Sequence, residues 1–189
     1  LENEVYSGLL EQRAKQVSLE TLQSVWENFP RAIRKIPDIL ALYIIKLLEH
    51  HAFDTAETEC REALKHEWHN GLIALYGQCD SSNIEEQLRF AEHFLKQYPN
   101  NSYLLLTLGR ICKRRQLWGK AKGYFSKSVQ IQPEAETYAE LAKLSDELNE
   151  KEIFWIDKLK TIANGYNLTE GGTGGDLSEF IKYDENWVE

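Results

Sequence analysis

The sequence predicts an all-α protein: a right-handed superhelix of stacked antiparallel helix pairs, an α-α solenoid. Three observations carry that reading. Tyr43, Leu75, Leu108 and Leu141 recur at intervals of 32, 33 and 33 residues, the period of a repeating two-helix unit. Pro99 and Pro133, 34 residues apart, close two such units, because proline has no amide hydrogen for a helix interior. The small–large–small spacing Ala56, Cys60, Ala63 returns at Ala121, Phe125, Ser128, giving the second helix of each unit a face that packs closely on the first.

The stretch Ser102–Ala135 organises the rest. Leu105, Leu108-Gly109, Cys112, Ala121, Phe125 and Pro133 match the tetratricopeptide (TPR) pattern in kind and spacing, with Leu105 in place of its Trp and Cys112 in place of its Tyr. Two helices follow, over about 102–115 and 118–131, and Gly109 and Ala121 let them approach closely.

The other elements follow in order. Val5, Leu9, Leu10 and Val17 predict a helix over 2–16. Ser18 is an N-cap for the next, whose apolar face is Leu19, Leu22, Val25, Trp26 and Phe29 and which ends at Pro30. Residues 1–36 thus read as N-terminal helices, a degenerate repeat. TPR-like repeats occupy 37–165. Pro37 opens a helix over 38–50 with Leu40, Tyr43, Ile44 and Leu47 as its stripe. The third unit carries Leu72, Leu75, Tyr76 and Cys79, then an irregular turn through Asp80-Ser81-Ser82-Asn83, then a helix over 84–98. A final pair is expected, its first helix carrying Tyr138 and Leu141-Ala142, its second running over 153–162 with Phe154 where alanine is usual. Thr169–Gly175 reads as flexible linker, so 166–189 is a Gly-rich flexible or docking tail.

Composition sets limits on function. The chain has 189 residues, a net charge of −8, and 42% hydrophobic residues, which suits a globular or repeat protein and not a general nucleic-acid binder, since that needs an extended basic face. Cys60, Cys79 and Cys112 are odd in number and widely spaced, and read as buried reduced thiols. The longest apolar run, Ile39–Leu48, is interrupted by Lys46 and too short to span a bilayer. The chain starts at Leu1 and has no methionine, which predicts a piece of a longer protein.

No catalytic constellation, phosphate loop or paired CxxC is present, so neither an enzyme nor a bound cofactor or metal is expected. His50-His51 and His66-x2-His69 flank Cys60, but neighbouring helical residues point about 100° apart and do not converge on one ion.

Charge is more informative. Residues 110–127 hold Arg110, Lys113, Arg114, Arg115, Lys120, Lys122 and Lys127 with no acid; residues 134–152 are dominated by Glu and Asp. In a TPR stack the first helix of each unit lines the concave groove, here through Tyr103, Leu106, Arg110, Lys113 and Arg114, with Lys143 from the next unit. Such a groove suits an acidic peptide, or carboxylates on a flat apolar ligand. Alternatively, the cations pair with the adjacent acidic repeat.

With these residues in hand, the chain resembles the C-terminal TPR region of the HemY family of bacterial haem-biosynthesis-associated membrane proteins. The resemblance covers about 18–150. It is carried by Trp26-x2-Phe29-Pro30-Arg31, Leu75-Tyr76-Gly77, Leu104 to Arg110, Gln116 to Ala121, and Tyr138 to Ala142. It implies a membrane anchor outside this chain, a bacterial inner-membrane location, and a soluble cytoplasmic repeat domain. It further implies a protein–protein scaffold that binds haem-pathway enzymes, or porphyrin or haem directly. It does not imply porphyrinogen oxidation, because no dinucleotide fingerprint is present to hold a flavin.

Overall fold

The computed structural model describes residues 6–8, 10 and 18–165, with side chains through residue 150. Among the described residues every regular element is helical. They are α1 Leu19–Glu27, α2 Arg31–Arg34, α3 Pro37–Glu49, α4 Phe53–His66, α5 Asn70–Tyr76, α6 Ile84–His93, α7 Ser102–Arg114, α8 Trp118–Ile131 and α9 Ala135–Gly165, with a 3₁₀ turn over Phe94–Lys96.

Local chemistry sets several of the boundaries. The Ser18 hydroxyl accepts from the Thr21 amide at the start of α1. Pro37 occupies the first turn of α3, where its missing N–H costs nothing. Asn83 caps α6 and Asn101 caps α7, accepting from Glu86 and Leu104, so donors left over at each helix start are satisfied. The turns after α3 and α7 are alike. His51 (φ 56°) and Gln116 (φ 60°) take the left-handed conformation. The next amide reaches back to Leu47 or Cys112, in both cases at 2.9 Å, the six-to-one bond of a Schellman turn. Two hairpins 65 positions apart therefore reverse by one device.

α7 and α8 run antiparallel. Ser128 Oγ donates to the Ser102 carbonyl at 2.9 Å and Ser102 Oγ bonds Gln132 at one end; Gly109 faces Phe125 midway. A Cβ at Gly109 would lie under 3.0 Å from the Phe125 ring, which is why this helix interior carries glycine. α5 and α7 run parallel, tied by Asn101–Asn70, Thr107–Ile73 and Arg114–Gly77. α3 packs on α5 and α5 on α7, while α4 contacts α3 and α5, and α8 contacts α7 and α9. The core is continuous, from Trp26 stacked on Tyr43 at 4.1 Å through Ile44, Leu47, Ile73 and Tyr76 to Leu104, Leu108 and Phe125.

A polar network is buried in the middle of it. Tyr76 donates to Glu57 at 2.7 Å, and Arg61 binds the same carboxylate at 2.6 and 2.9 Å. Arg61 also pairs with Glu86 and lies over the Phe90 ring. Gln87 donates at 2.9 Å to both the Tyr76 and Cys79 carbonyls, and at the surface beside it Asp54 accepts from the Ser82 amide at 2.8 Å. These bonds hold the irregular 80–83 turn that the sequence anticipates.

Two elements differ from expectation. The segment after Pro30 forms the short α2, which has no apolar periodicity to announce it. The expected final pair is one helix: α9 is 31 residues long and runs unbroken. Residues 143–152 contain neither Gly nor Pro, and Leu141, Leu144 and Leu148 continue the helical stripe, so nothing stops propagation. Position 154, the 166–189 tail and most of the helix expected over 2–16 lie outside the described side chains.

Candidate functional site

The cations singled out in the sequence converge on a cleft of about 370 Å³ between α5, α7 and α9, lined by Gly77, Gln78, Arg110, Lys113, Arg114, Glu136 and Glu140. They share one face of α7 because 110, 113 and 114 are three and four residues apart. α7 is held firmly on that face. Thr107 Oγ1 donates to the Ile73 carbonyl at 2.6 Å, and Gly77 permits the contact, since a Cβ there would sit 2.8 Å from Thr107 Oγ1.

Each cation already has partners. Arg110 is buried (8% exposed); its Nη2 reaches Glu136 at 2.6 Å and its Nε reaches Glu140 at 3.3 Å. Lys113 lies 3.4 Å from Glu140 and 3.1 Å from Glu147. Arg114 donates to the Gly77 carbonyl at 2.8 Å and to Gln87 at 3.1 Å, with Asp80 at 3.7 Å. Arg115, just outside the cleft, pairs with Glu85. Burial alone would raise the Glu140 carboxyl; Arg110, Lys113 and Lys143 more than offset it and hold the group below the usual carboxylate range. Desolvation draws the Arg114 guanidinium down.

Two donors are left over: Arg110 Nη1 and Arg114 Nε are buried and make no hydrogen bond among the described residues. The carboxylate that covers Arg110 from the open side belongs to Glu136, whose side chain is 52% exposed. Of the two carboxylates on Arg110, Glu136 is thus the one in contact with solvent, Glu140 being 15% exposed.

Of the six residues expected in a partner-binding groove, Arg110, Lys113 and Arg114 line this cleft. Leu106 does not: it is 3% exposed and belongs to the core. Tyr103 is half-buried against that core. Lys143 is exposed on α9, close enough to act on Glu140. Sequence reasoning left Gln78, Glu136 and Glu140 out of the groove. The acidic run after 134 was the available signal, and it belongs to the site as the cations' partners. Among the described residues no large apolar side chain lines the cleft.

The other candidate groups are structural. Cys60, Cys79 and Cys112 are free and buried; burial pushes the Cys60 thiol well up and the Cys112 thiol to about 11. His69 caps α5, its ring accepting from the Leu72 amide, and His51 forms the Schellman turn. Among the described residues no His/Cys/Asp/Glu group is arranged to hold a metal, and no helix is long and apolar enough to cross a membrane.

No family model and no solved structure matches the chain. Curated relatives do. The chain is 25% identical over 152 residues to Protein HemY of Escherichia coli K12 and, at the same level, to Protein HemY of Shigella flexneri. The match takes in 80% of this chain and 38% of each relative's length. The resemblance to HemY read over about 18–150 is borne out.

Proposed function

We infer that this chain is a non-enzymatic TPR-type scaffold, a right-handed solenoid whose concave face presents Arg110, Lys113 and Arg114 to a carboxylate-rich segment of a partner protein. One observation carries the reading. Arg110 is fixed by burial with a guanidinium donor unsatisfied, beside a cleft whose covering carboxylate, Glu136, is half in solvent. A carboxylate from a partner can take the place of Glu136 and bond in the charge-assisted geometry that guanidinium favours. Similarity to HemY supports a setting in haem or porphyrin biosynthesis at the bacterial inner membrane, with pathway enzymes as partners and an anchor elsewhere in the longer protein. Direct porphyrin binding is supported by no observation at this cleft.

Affinity capture from the host's membrane fraction tests the scaffold role, using wild type, Glu136→Gln and the pair Arg110→Gln/Arg114→Gln. Recovery of one partner that rises with Glu136→Gln and falls with the double variant is expected. Equal recovery by all three overturns the assignment of this face.

A further inference from the structure

A second cavity, about 760 Å³, opens among α1, α2, α3, α4 and the start of α5. Its floor is apolar, formed by Trp26, Leu40 and Leu72, and its walls carry opposite charge. Arg34 of α2, with Arg31 and Lys35 beside it, supplies the cations, and Glu59 of α4, with Glu62 and Glu67, the anions. Arg34 Nε is buried and has no hydrogen-bond partner among the described residues. Glu59 is half-buried, and no hydrogen bond or ion pair joins it to Arg34 or to any other described residue. The Arg34 charge is nonetheless felt at the Glu59 carboxyl, which desolvation pushes above its ordinary range.

Arg110 and Arg114 also keep one buried unbonded nitrogen each, but the other sheltered arginines have a carboxylate within 4 Å. Arg61 is closed by Glu57 and Glu86, and Arg110 by Glu136 and Glu140. A half-buried charge without a partner is costly, and the natural relief is a counter-charge supplied from outside. Charges of both signs around an apolar lining, with no ion pair between Arg34 and Glu59, suit a molecule with an anionic end, a cationic end and an apolar body. The two ends of a free amino acid are adjacent to one another. A short peptide, extending by about 3.3 Å per residue, separates them further, and a cavity of several hundred cubic ångströms is of the size that holds such a ligand.

We propose that this cavity binds a short zwitterionic peptide, its C-terminal carboxylate at Arg34, its N-terminal ammonium at Glu59 and an apolar side chain over Trp26, Leu40 and Leu72. The site is separate from the α5–α7–α9 cleft, and neither reading depends on the other.

Isothermal titration with trileucine, N-acetyl-trileucine and trileucine amide tests it. Trileucine should bind, and blocking either end should weaken binding by about tenfold or more, the loss of one charge-assisted contact. Arg34→Gln should abolish the penalty of amidation and Glu59→Gln that of acetylation, with Arg110→Gln leaving both penalties intact. Circular dichroism checks that the variants fold; should either fail to, the three peptides on wild type decide alone. No binding of trileucine at millimolar concentration, or equal binding of free and blocked peptides, overturns the proposal.

Discussion

Replacing Gly77 with alanine puts the packing of α5 on α7 to a quantitative test. Gly77 follows the last turn of α5 in a right-handed helical conformation, so its backbone has no need of glycine, and helix propensity alone favours alanine by about 1 kcal/mol. The structure opposes this. The new Cβ would meet Thr107 Oγ1 at 2.8 Å and Thr107 Cα at 2.9 Å, where carbon contacts prefer about 3.5–4.0 Å. Because one of these atoms is backbone, no rotamer change removes the clash, and the two helices must separate by roughly 0.6 Å or more. That motion stretches the 2.6 Å Thr107–Ile73 bond and the 2.8 Å Arg114–Gly77 bond. Overpacking of this kind costs about 1–3 kcal/mol and each weakened hydrogen bond about 1 more. The sum after the propensity gain is a net loss of about 2–4 kcal/mol. Gly123 is the control: it lies inside α8, exposed, with nothing within 4 Å of where a Cβ would stand, so Gly123→Ala should gain about 1 kcal/mol. Urea unfolding of both variants reads the difference. Equal gains from both would refute the close approach of α5 and α7.

Other outcomes follow from the same contacts. Tyr76→Phe removes a donor from the buried Glu57 carboxylate and should cost about 1–3 kcal/mol in urea unfolding. Gln116→Gly relieves a left-handed non-glycine residue and should raise stability by up to about 1 kcal/mol, seen as a higher melting temperature. Glu140 has a depressed folded pKa, so its stabilisation is present above the ordinary carboxylate pKa and lost as pH falls through the folded value; Glu140→Gln should flatten acid unfolding on that side. Glu59, raised by desolvation, has the opposite sign, and Glu59→Gln should stabilise at neutral pH relative to pH 4. The three buried thiols should be inert to a thiol reagent in the native protein and all react in denaturant.

What the sequence made legible is the part governed by local rules. The limits of α7 and α8 follow from apolar spacing and Pro133, and the 80–83 irregularity follows from its run of turn formers. α9 differs from the expected pair because no local residue enforces a break before 153; Asn149 is helical, whereas Gln116, 33 residues earlier, is left-handed. The cations of the site were legible as a cluster on one helix face. Pairing with the adjacent acidic repeat was legible as the alternative reading and is what the structure shows, but which acids pair was not, because Glu136 and Glu140 are 26 and 30 residues from Arg110 and reach it through the packing of α9 on α7. Leu106 was placed in the groove by position within the repeat, and is instead inward-facing.

The carboxylate exchange at Arg110 is tested most directly by fluorescence anisotropy with a labelled hexaglutamate peptide at low ionic strength, where screening is weakest. Removing the competing half-exposed carboxylate in Glu136→Gln should tighten binding by about two- to fivefold, the worth of an exposed ion pair of up to about 1 kcal/mol. Arg110→Gln should weaken it. Identical affinity in all three proteins, or weaker binding by Glu136→Gln, would contradict the account.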